Sequence, residues 1–350
     1  LSGKGVIFFG NDGNDIISNT NFADGGTGDD QLTASNFQSH YNYVTWRDHN
    51  YNSREAASLV SQDNSNVLFG GTGNDTLTGN IYQDILIGGT GTDTINASSG
   101  DDRIWGDGYS SIAWNGDNFG STLARTVGDA DTIDAGDGND WVDGGAGDDT
   151  INAGEGTNEI YGGLGSDAIT GGSGKDTIWG GNGSNDPGVD ASDTISAGGG
   201  DDTVRGEGGN DTIYGEAGND TLRGDDGDDK IYGGEGSDTI YGGEGHDTLD
   251  GGIDDDIIHG NLGDDTITGG SGNDEIYGHE EDDTIHGGLG NDRIEGGSGD
   301  DTITGGEGDD ELYAQAGNDS VTAGSGNDTV TGGEGDDTID GGEGDDTITG

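Results

Sequence analysis

Aspartate returns at every ninth residue from Asp193 to Asp346 without a slip, and the residues between repeat with it. A period held this long constrains a fold tightly, because every repeat must adopt one conformation and stack on its neighbours. Eighteen consecutive nonads fill residues 188–349; GGEGSDTIY (233–241), GGSGNDEIY (269–277) and GGEGDDTID (332–340) are examples. Position 6 of the nonad is held by Asp193, Asp202, Asp211, Asp220, Asp229, Asp238, Asp247, Asp256, Asp265, Asp274, Asp283, Asp292, Asp301, Asp310, Asp319, Asp328, Asp337 and Asp346. Position 8 is always branched and apolar, from Ile195 and Val204 to Ile339 and Ile348.

The same register appears upstream in two shorter blocks. Residues 70–105 place Asp75, Asp84, Asp93 and Asp102 at position 6. Residues 126–179 place Asp131, Asp140, Asp149, Asp167 and Asp176 there, with Asn158 substituting once. Nearer the N-terminus, GNDGNDIIS (10–18) and GGTGDDQLT (25–33) contribute Asp15 and Asp30, while SQDNSNVLF (61–69) keeps only Asn66 and Leu68. Three segments, about 34–60, 106–125 and 180–187, break the period. The first two are rich in aromatics: Phe37, Tyr41, Tyr43, Trp46 and Tyr51, then Tyr109, Trp114 and Phe119. The third holds Pro187, the single proline, which would remove a ladder donor from a strand. The chain thus reads as irregular N-terminal coils over 1–69, a repeat block with its own insertion over 70–179, a short insertion at 180–187, and a regular block over 188–350.

Each nonad divides into a glycine-rich part, G-G-x-G-x-D, expected to form a turn, and a three-residue part, typically T-I-x, expected to form a strand. Glycine suits backbone at positive φ or in close approach to another backbone. Side chains alternate along a strand, so position 8 points inward and positions 7 and 9 outward. Two turns and two strands close a coil of eighteen residues, giving an all-β solenoid with two short parallel sheets facing across a thin ladder of Ile, Leu and Val. One buried apolar side chain per nonad offsets only a fraction of the conformational entropy lost in ordering nine residues. A further contribution is needed in every repeat.

The charge indicates where it comes from. The chain carries 73 acidic residues against 10 basic ones, a net charge of −63. Such a polyanion repels phosphate, which excludes nucleic acid as a partner. No apolar run approaches the length of a membrane span, and no signal peptide is visible. The absence of cysteine excludes disulfides and thiolate metal sites. In the expected stack, the position-6 carboxylates of residues n and n+18 are neighbours and would repel unless a cation lay between them. Oxygen ligands in an irregular cage suit Ca²⁺ better than Mg²⁺. All the position-6 aspartates from Asp15 to Asp346 are therefore candidate calcium ligands, with about one ion per nonad turn. Loss of the second glycine at Asp107, Glu207, Glu216, Asp225 and His279 is expected to strain the turn.

The motif G-G-x-G-x-D-x-U-x, with U branched and apolar, resembles the nonapeptide of the RTX (repeats-in-toxin) family. That resemblance implies a right-handed parallel β-roll with Ca²⁺ held between adjacent turns by position-6 carboxylates and turn carbonyls. It also implies Type I secretion of an unfolded chain and folding outside the cell. Weaker sites are expected at Asn66 and Asn158. Sheath and surface-fibril RTX proteins of cyanobacteria offer one analogy.

An enzyme is not expected. The sequence has neither G-x-S-x-G nor H-E-x-x-H, and paired carboxylates carry no signal when every nonad supplies them. Of the six histidines, His259 and His286 fall at outward position 9. The leading expectation is a secreted structural or adhesive protein, a calcium-rigidified rod assembling head to tail or laterally, or docking on surface polysaccharide. The chain starts at Leu1 and stops one residue into a further nonad, which suggests a piece of something longer. A second expectation is the secretion and folding module of a larger enzyme of lipase, protease or alginate epimerase type. A third is an ice- or polysaccharide-binding module. Thr266/Thr268, Thr302/Thr304 and Thr347/Thr349 fit an outward threonine array, but Ile257, Glu275, Arg293 and Glu311 interrupt it.

Overall fold

The computed structural model describes residues 7–9, 16–20, 22–28, 30–34, 66–107, 128–183 and 191–350. Their regular elements are all β-strands, paired in parallel. Two compact units are present, Leu1–Ala168 and Ile169–Gly350.

In the second unit, successive strands go alternately to two sheets. The first sheet takes Thr177–Trp179, Thr203–Gly208, Thr221–Asp226 and so on to Thr347–Thr349; the second takes Thr194–Gly199, Thr212–Ala217 and so on to Thr338–Glu343. Ladder partners are eighteen residues apart, as in Thr203↔Thr221 and Thr194↔Thr212, so one coil is two nonads. The alternation of inward and outward side chains puts position 8 in the interior: Ile195, Val204, Ile213, Leu222 and Ile231 are all 0% exposed. The β-branched residues at positions 7 and 8 favour the pleated conformation. The architecture is thus an all-β parallel β-solenoid with two parallel sheets and about eighteen residues per turn.

The strands are longer than the three-residue part of the motif. Thr203–Gly208 and its equivalents run six residues, through positions 7, 8, 9, 1, 2 and 3. The expected six-residue turn is therefore corrected to a three-residue turn at positions 4 to 6. Position 2 bends the strand at positive φ without ending the ladder, since Gly198↔Glu216 and Glu207↔Asp225 still pair.

The first unit follows the same plan. One ladder joins Ile7–Phe9, Phe22–Thr27, Asn66–Thr72, Asp84–Thr90, Arg103–Asp107, Trp141–Ala146 and Glu159–Leu164. The other joins Ile16–Thr20, Gln31–Ala34, Thr76–Thr78, Thr94–Asn96, Thr132–Asp134 and Thr150–Glu155, with a register shift between Ser18 and Thr20. The outward residues Ile87, Trp105 and Asp143 are nonetheless buried in this unit.

The ladders close over all three interruptions. Asp93 pairs with Asp131 and Asp102 with Asp140, each 38 residues apart, one coil plus twenty. Asp30 pairs with Asp75 at 45 residues, and Asp176 with Asp202 at 26. The aromatics expected in the first two interruptions and Pro187 in the third lie outside the described residues, as does Asp15.

Candidate cation-binding turns

Each turn begins at position 4 and ends at the position-6 aspartate, whose backbone carbonyl opens the next rung. Thr212 N–H donates to the Asp193 carbonyl at 2.8 Å, and Thr221 N–H to that of Asp202 at 2.9 Å. The aspartate side chain folds back over the turn. Its Oδ1 accepts a hydrogen bond from the backbone N–H of the aspartate one coil earlier: Asp211 N–H to Asp229 Oδ1 at 2.7 Å, Asp229 N–H to Asp247 Oδ1 at 2.8 Å, and Asp247 N–H to Asp265 Oδ1 at 2.8 Å. The columns expected from the eighteen-residue spacing are therefore present, linked by carboxylate-to-backbone bonds. Asn158 makes the same bond with its amide oxygen, accepting from Asp140 N–H at 3.0 Å.

The second carboxylate oxygen is different. At every position-6 aspartate from Asp202 to Asp328, and at Asp93, Asp102, Asp131, Asp140 and Asp149, Oδ2 is buried and accepts no hydrogen bond. It lies against position 1 of its own nonad. An ideal Cβ built on Gly215 would fall 2.6 Å from Asp220 Oδ2 and 2.5 Å from the Gly233 carbonyl oxygen of the next coil. Two acceptors thus crowd one small space. Buried acceptors without a donor are costly, and the ionised carboxylate is the more costly form.

The proton affinities carry that cost. Burial, only partly offset by the backbone N–H donor, pushes Asp131, Asp149, Asp229 and Asp283 up to about 8. Neighbouring carboxylates raise them further; for Asp283 these are Asp265, Asp301 and Asp264. Asp211, Asp238 and Asp274 are pushed up to about 6 by the same burial. A column of carboxylates held in this state calls for either protons or a cation. The residues fit a hard divalent cation, because the crowded acceptors at position 1 are carboxylate and carbonyl oxygens. Among the described residues no three His, Asp or Glu side chains converge on one point. A cation in these turns would accordingly draw most of its ligands from turn carbonyls, with one or two carboxylates.

A second polar ladder escaped the sequence reading. Position 5 side chains on the solvent side accept from the position 5 N–H one coil later: Asn219 N–H to Asp201 Oδ1 at 3.1 Å, Ser237 N–H to Asn219 Oδ1 at 2.9 Å, Asn273 N–H to Asp255 Oδ1 at 2.7 Å. It runs opposite in sense to the position-6 ladder. The signal was present, since position 5 is always Asp, Asn, Ser or His in the long block. The expected strain at position 2 is found at Glu207, Glu216, Asp225 and His279, with φ between 72° and 87°. Asp107 does not share that conformation. Ser98, Asn261 and Gln315 join them at position 2, and Asp254 and Glu281 at position 4.

No helix among the described residues is long and apolar enough to cross a membrane. No curated protein matches the chain. Among solved structures it is similar to a hyperactive, Ca²⁺-dependent, β-helical antifreeze protein from an Antarctic bacterium, at 20% identity over 96% of this chain and 83% of that one. The TM-score is 0.23, too low for the superposition to carry an argument. The family model for the RTX calcium-binding nonapeptide repeat matches in successive copies over residues 61–108 and 126–350. With the match spanning most of the sequence and the repeats stacked as coils, the chain belongs to the RTX calcium-binding nonapeptide-repeat family.

Proposed function

We propose that this is a secreted protein that folds on extracellular calcium and then serves a structural or adhesive role. The observation that carries the reading is the column of buried Oδ2 atoms that accept no hydrogen bond. In this reading the position-6 aspartates supply the carboxylates and the neighbouring turns supply carbonyls. Bound Ca²⁺ would supply the positive charge that the turns lack. The aspartates would then do two things at once: Oδ1 ties each coil to the one before it, and Oδ2 faces the ion.

The same feature gives secretion a physical basis. At low calcium the carboxylates of the two columns repel, and one apolar residue per nonad does not order the chain. An unfolded polyanion can be exported and then fold where calcium is abundant. The protein works by binding and by rigidity, with no catalytic step assigned to it.

Circular dichroism tests the reading. The full chain in chelator should be largely unfolded, and millimolar Ca²⁺ should restore cooperative β-structure. A folded spectrum that chelator leaves unchanged would sink it. Electron microscopy of the calcium-loaded protein tests the structural role separately, through the presence or absence of ordered assemblies.

A further inference from the structure

Two of the four described histidines meet. His259 and His279 lie on the outer face of the first sheet of the second unit, at positions 9 and 2 of neighbouring coils. His259 Nδ1 and His279 Nε2 are 3.0 Å apart. The other two are placed differently: the His246 ring bonds Asp264 N–H in a turn, and His286 stands on the second sheet.

Both members of the pair are held. The His259 ring lies between the rings of Tyr241 and Tyr277, nearly parallel to each, with centroids 5.0 and 4.8 Å away. His279 replaces the glycine usual at position 2 and sits at φ 87°. A side chain there is strained, and such strain persists where the surroundings hold it. Asp225 and Gln315 on the same sheet also reach the residue twenty back, but they pair with Arg205 and Glu295, where a donor already meets a carboxylate. Only the histidine pair sets two potential lone pairs against each other.

A neutral imidazole has one N–H and one lone pair. At 3.0 Å one ring donates and the other accepts, so the contact needs at least one neutral ring. Burial, and then the neighbouring His279, lower the proton affinity of His259 and favour that state. Neutral imidazole is also the form that ligates metals. A divalent ion can replace the shared proton. The donor ring moves that proton to its other nitrogen, both facing nitrogens then present lone pairs, and the neutral pair loses no proton.

Geometry narrows the ion. Two nitrogens each ~2.0–2.1 Å from one ion and 3.0 Å from each other subtend roughly 90–100° at it. That angle suits neighbouring ligands in a tetragonal Cu²⁺ or Ni²⁺ site, and is narrower than tetrahedral zinc prefers. Imidazole nitrogen also separates this site from the turns, whose oxygens suit Ca²⁺. Among the described residues no third His, Asp or Glu converges on the pair, which leaves the other coordination positions to water. The surroundings are negative: Glu275 acts on His259 through its charge, and Glu280 and Glu295 line the same stretch of surface as His279.

We propose that His259 Nδ1 and His279 Nε2 bind one Cu²⁺ or Ni²⁺ ion on the outer face of the first sheet, a metal site of a second kind beside the calcium turns. The test is Cu²⁺ titration of the untagged full chain in excess calcium, with electron paramagnetic resonance at one equivalent. The parent should show two nitrogens in the equatorial plane of the copper. His40 and His49 lie outside the described residues, so the deciding readout is the difference between parent and variants. His279→Gly restores the glycine usual at position 2, and His259→Thr supplies the residue that Thr331 provides at position 9 of the same sheet. Each should weaken the site by about tenfold or more, at least as much as losing an outer-shell partner of a metal ligand does, and should lower the nitrogen count. His286→Thr should change neither. Each variant is first shown to give the parent's calcium-induced circular dichroism. The proposal is overturned if copper on the parent has oxygen ligands alone, an adventitious ion on surface carboxylates, or if His279→Gly and His259→Thr bind it as the parent does. A chain that folds with calcium but gives no nitrogen ligation removes this site alone, whereas a chain indifferent to calcium removes the function proposed above and leaves this site standing.

Discussion

At the scale of single residues, the position-6 aspartate has two separable duties. Asp265 Oδ1 accepts from Asp247 N–H at 2.8 Å, and Asp265 N–H donates to Asp283 Oδ1 at 2.9 Å. Its Oδ2 is buried and accepts no hydrogen bond. Asp265→Ala leaves the buried Asp247 N–H without an acceptor and should cost the calcium-loaded protein about 1–3 kcal/mol. Asp265→Asn keeps the backbone bond, as Asn158 does for Asp140, so it should cost less stability while still raising the calcium midpoint. Thermal melts and calcium titrations of both variants check this; equal losses in both would show that the backbone bond contributes nothing. The strained positions make a second prediction. Asp254 is exposed, sits at φ 78° and occupies position 4, where glycine is the rule. Asp254→Gly relieves a left-handed conformation at some cost in chain entropy, for a net gain of about 0.5 kcal/mol or slightly more. A lower melting temperature would contradict it. Ser98, Asn261 and Gln315 could have been found by the same lost-glycine criterion that found His279. The contacts that Asp225, His279 and Gln315 make with the residue twenty back, Arg205, His259 and Glu295, could not, because they depend on how the strand bends at position 2.

At the scale of the coil, protons and calcium compete for one set of oxygens. Burial raises the carboxyls of the folded, metal-free coil to about 6 for Asp211 and about 8 for Asp229, against an ordinary value near 3.8. The folded coil therefore binds more protons than the unfolded chain. The stability that these carboxyls contribute without metal is fully present below about pH 4 and is lost as pH rises through about 6 to 8. In chelator, β-structure should grow as pH falls across that window, whereas with calcium acid should weaken ion binding. Metal-free circular dichroism that does not change between pH 8 and pH 4 would contradict this. The interruptions yield another test. Asp93 and Asp131 are ladder partners across 38 residues, and joining Asp107 to Gly128 regenerates the nonad G-D-G-D-A-D-T-I-D. Deletion of residues 108–127 should therefore leave calcium-induced β-structure per residue unchanged; loss of folding would show that the segment holds the ladder together. Strand identity, inward position 8 and the eighteen-residue pairing were all legible in the sequence, because a period of two within a period of nine leaves position 8 one place to go. The strand's extension through positions 1 to 3 was not legible. Glycine-rich sequence reads as turn, yet here it is a bent continuation of the ladder.

At the scale of the whole molecule, the net charge of −63 must be met by counter-charge if coils are to stack. About one ion per nonad, on the order of two dozen in all, would meet most of it. Equilibrium dialysis against calcium should count that many ions on the folded chain; a handful would mean that most turns close without metal. The family and its fold were legible because one motif is repeated so often. Alternation between the two sheets has a genetic consequence. The sheet a residue joins is a matter of parity, set by whether an odd or even number of nonads precedes it. Tandem gain or loss of one nonad between Asn261 and Gln315 would send these two residues to opposite sides of the solenoid. Gain or loss of two would keep every residue on its own side. The chain is written in nonads, but an inheritable change in its length preserves a surface only when it comes in coils.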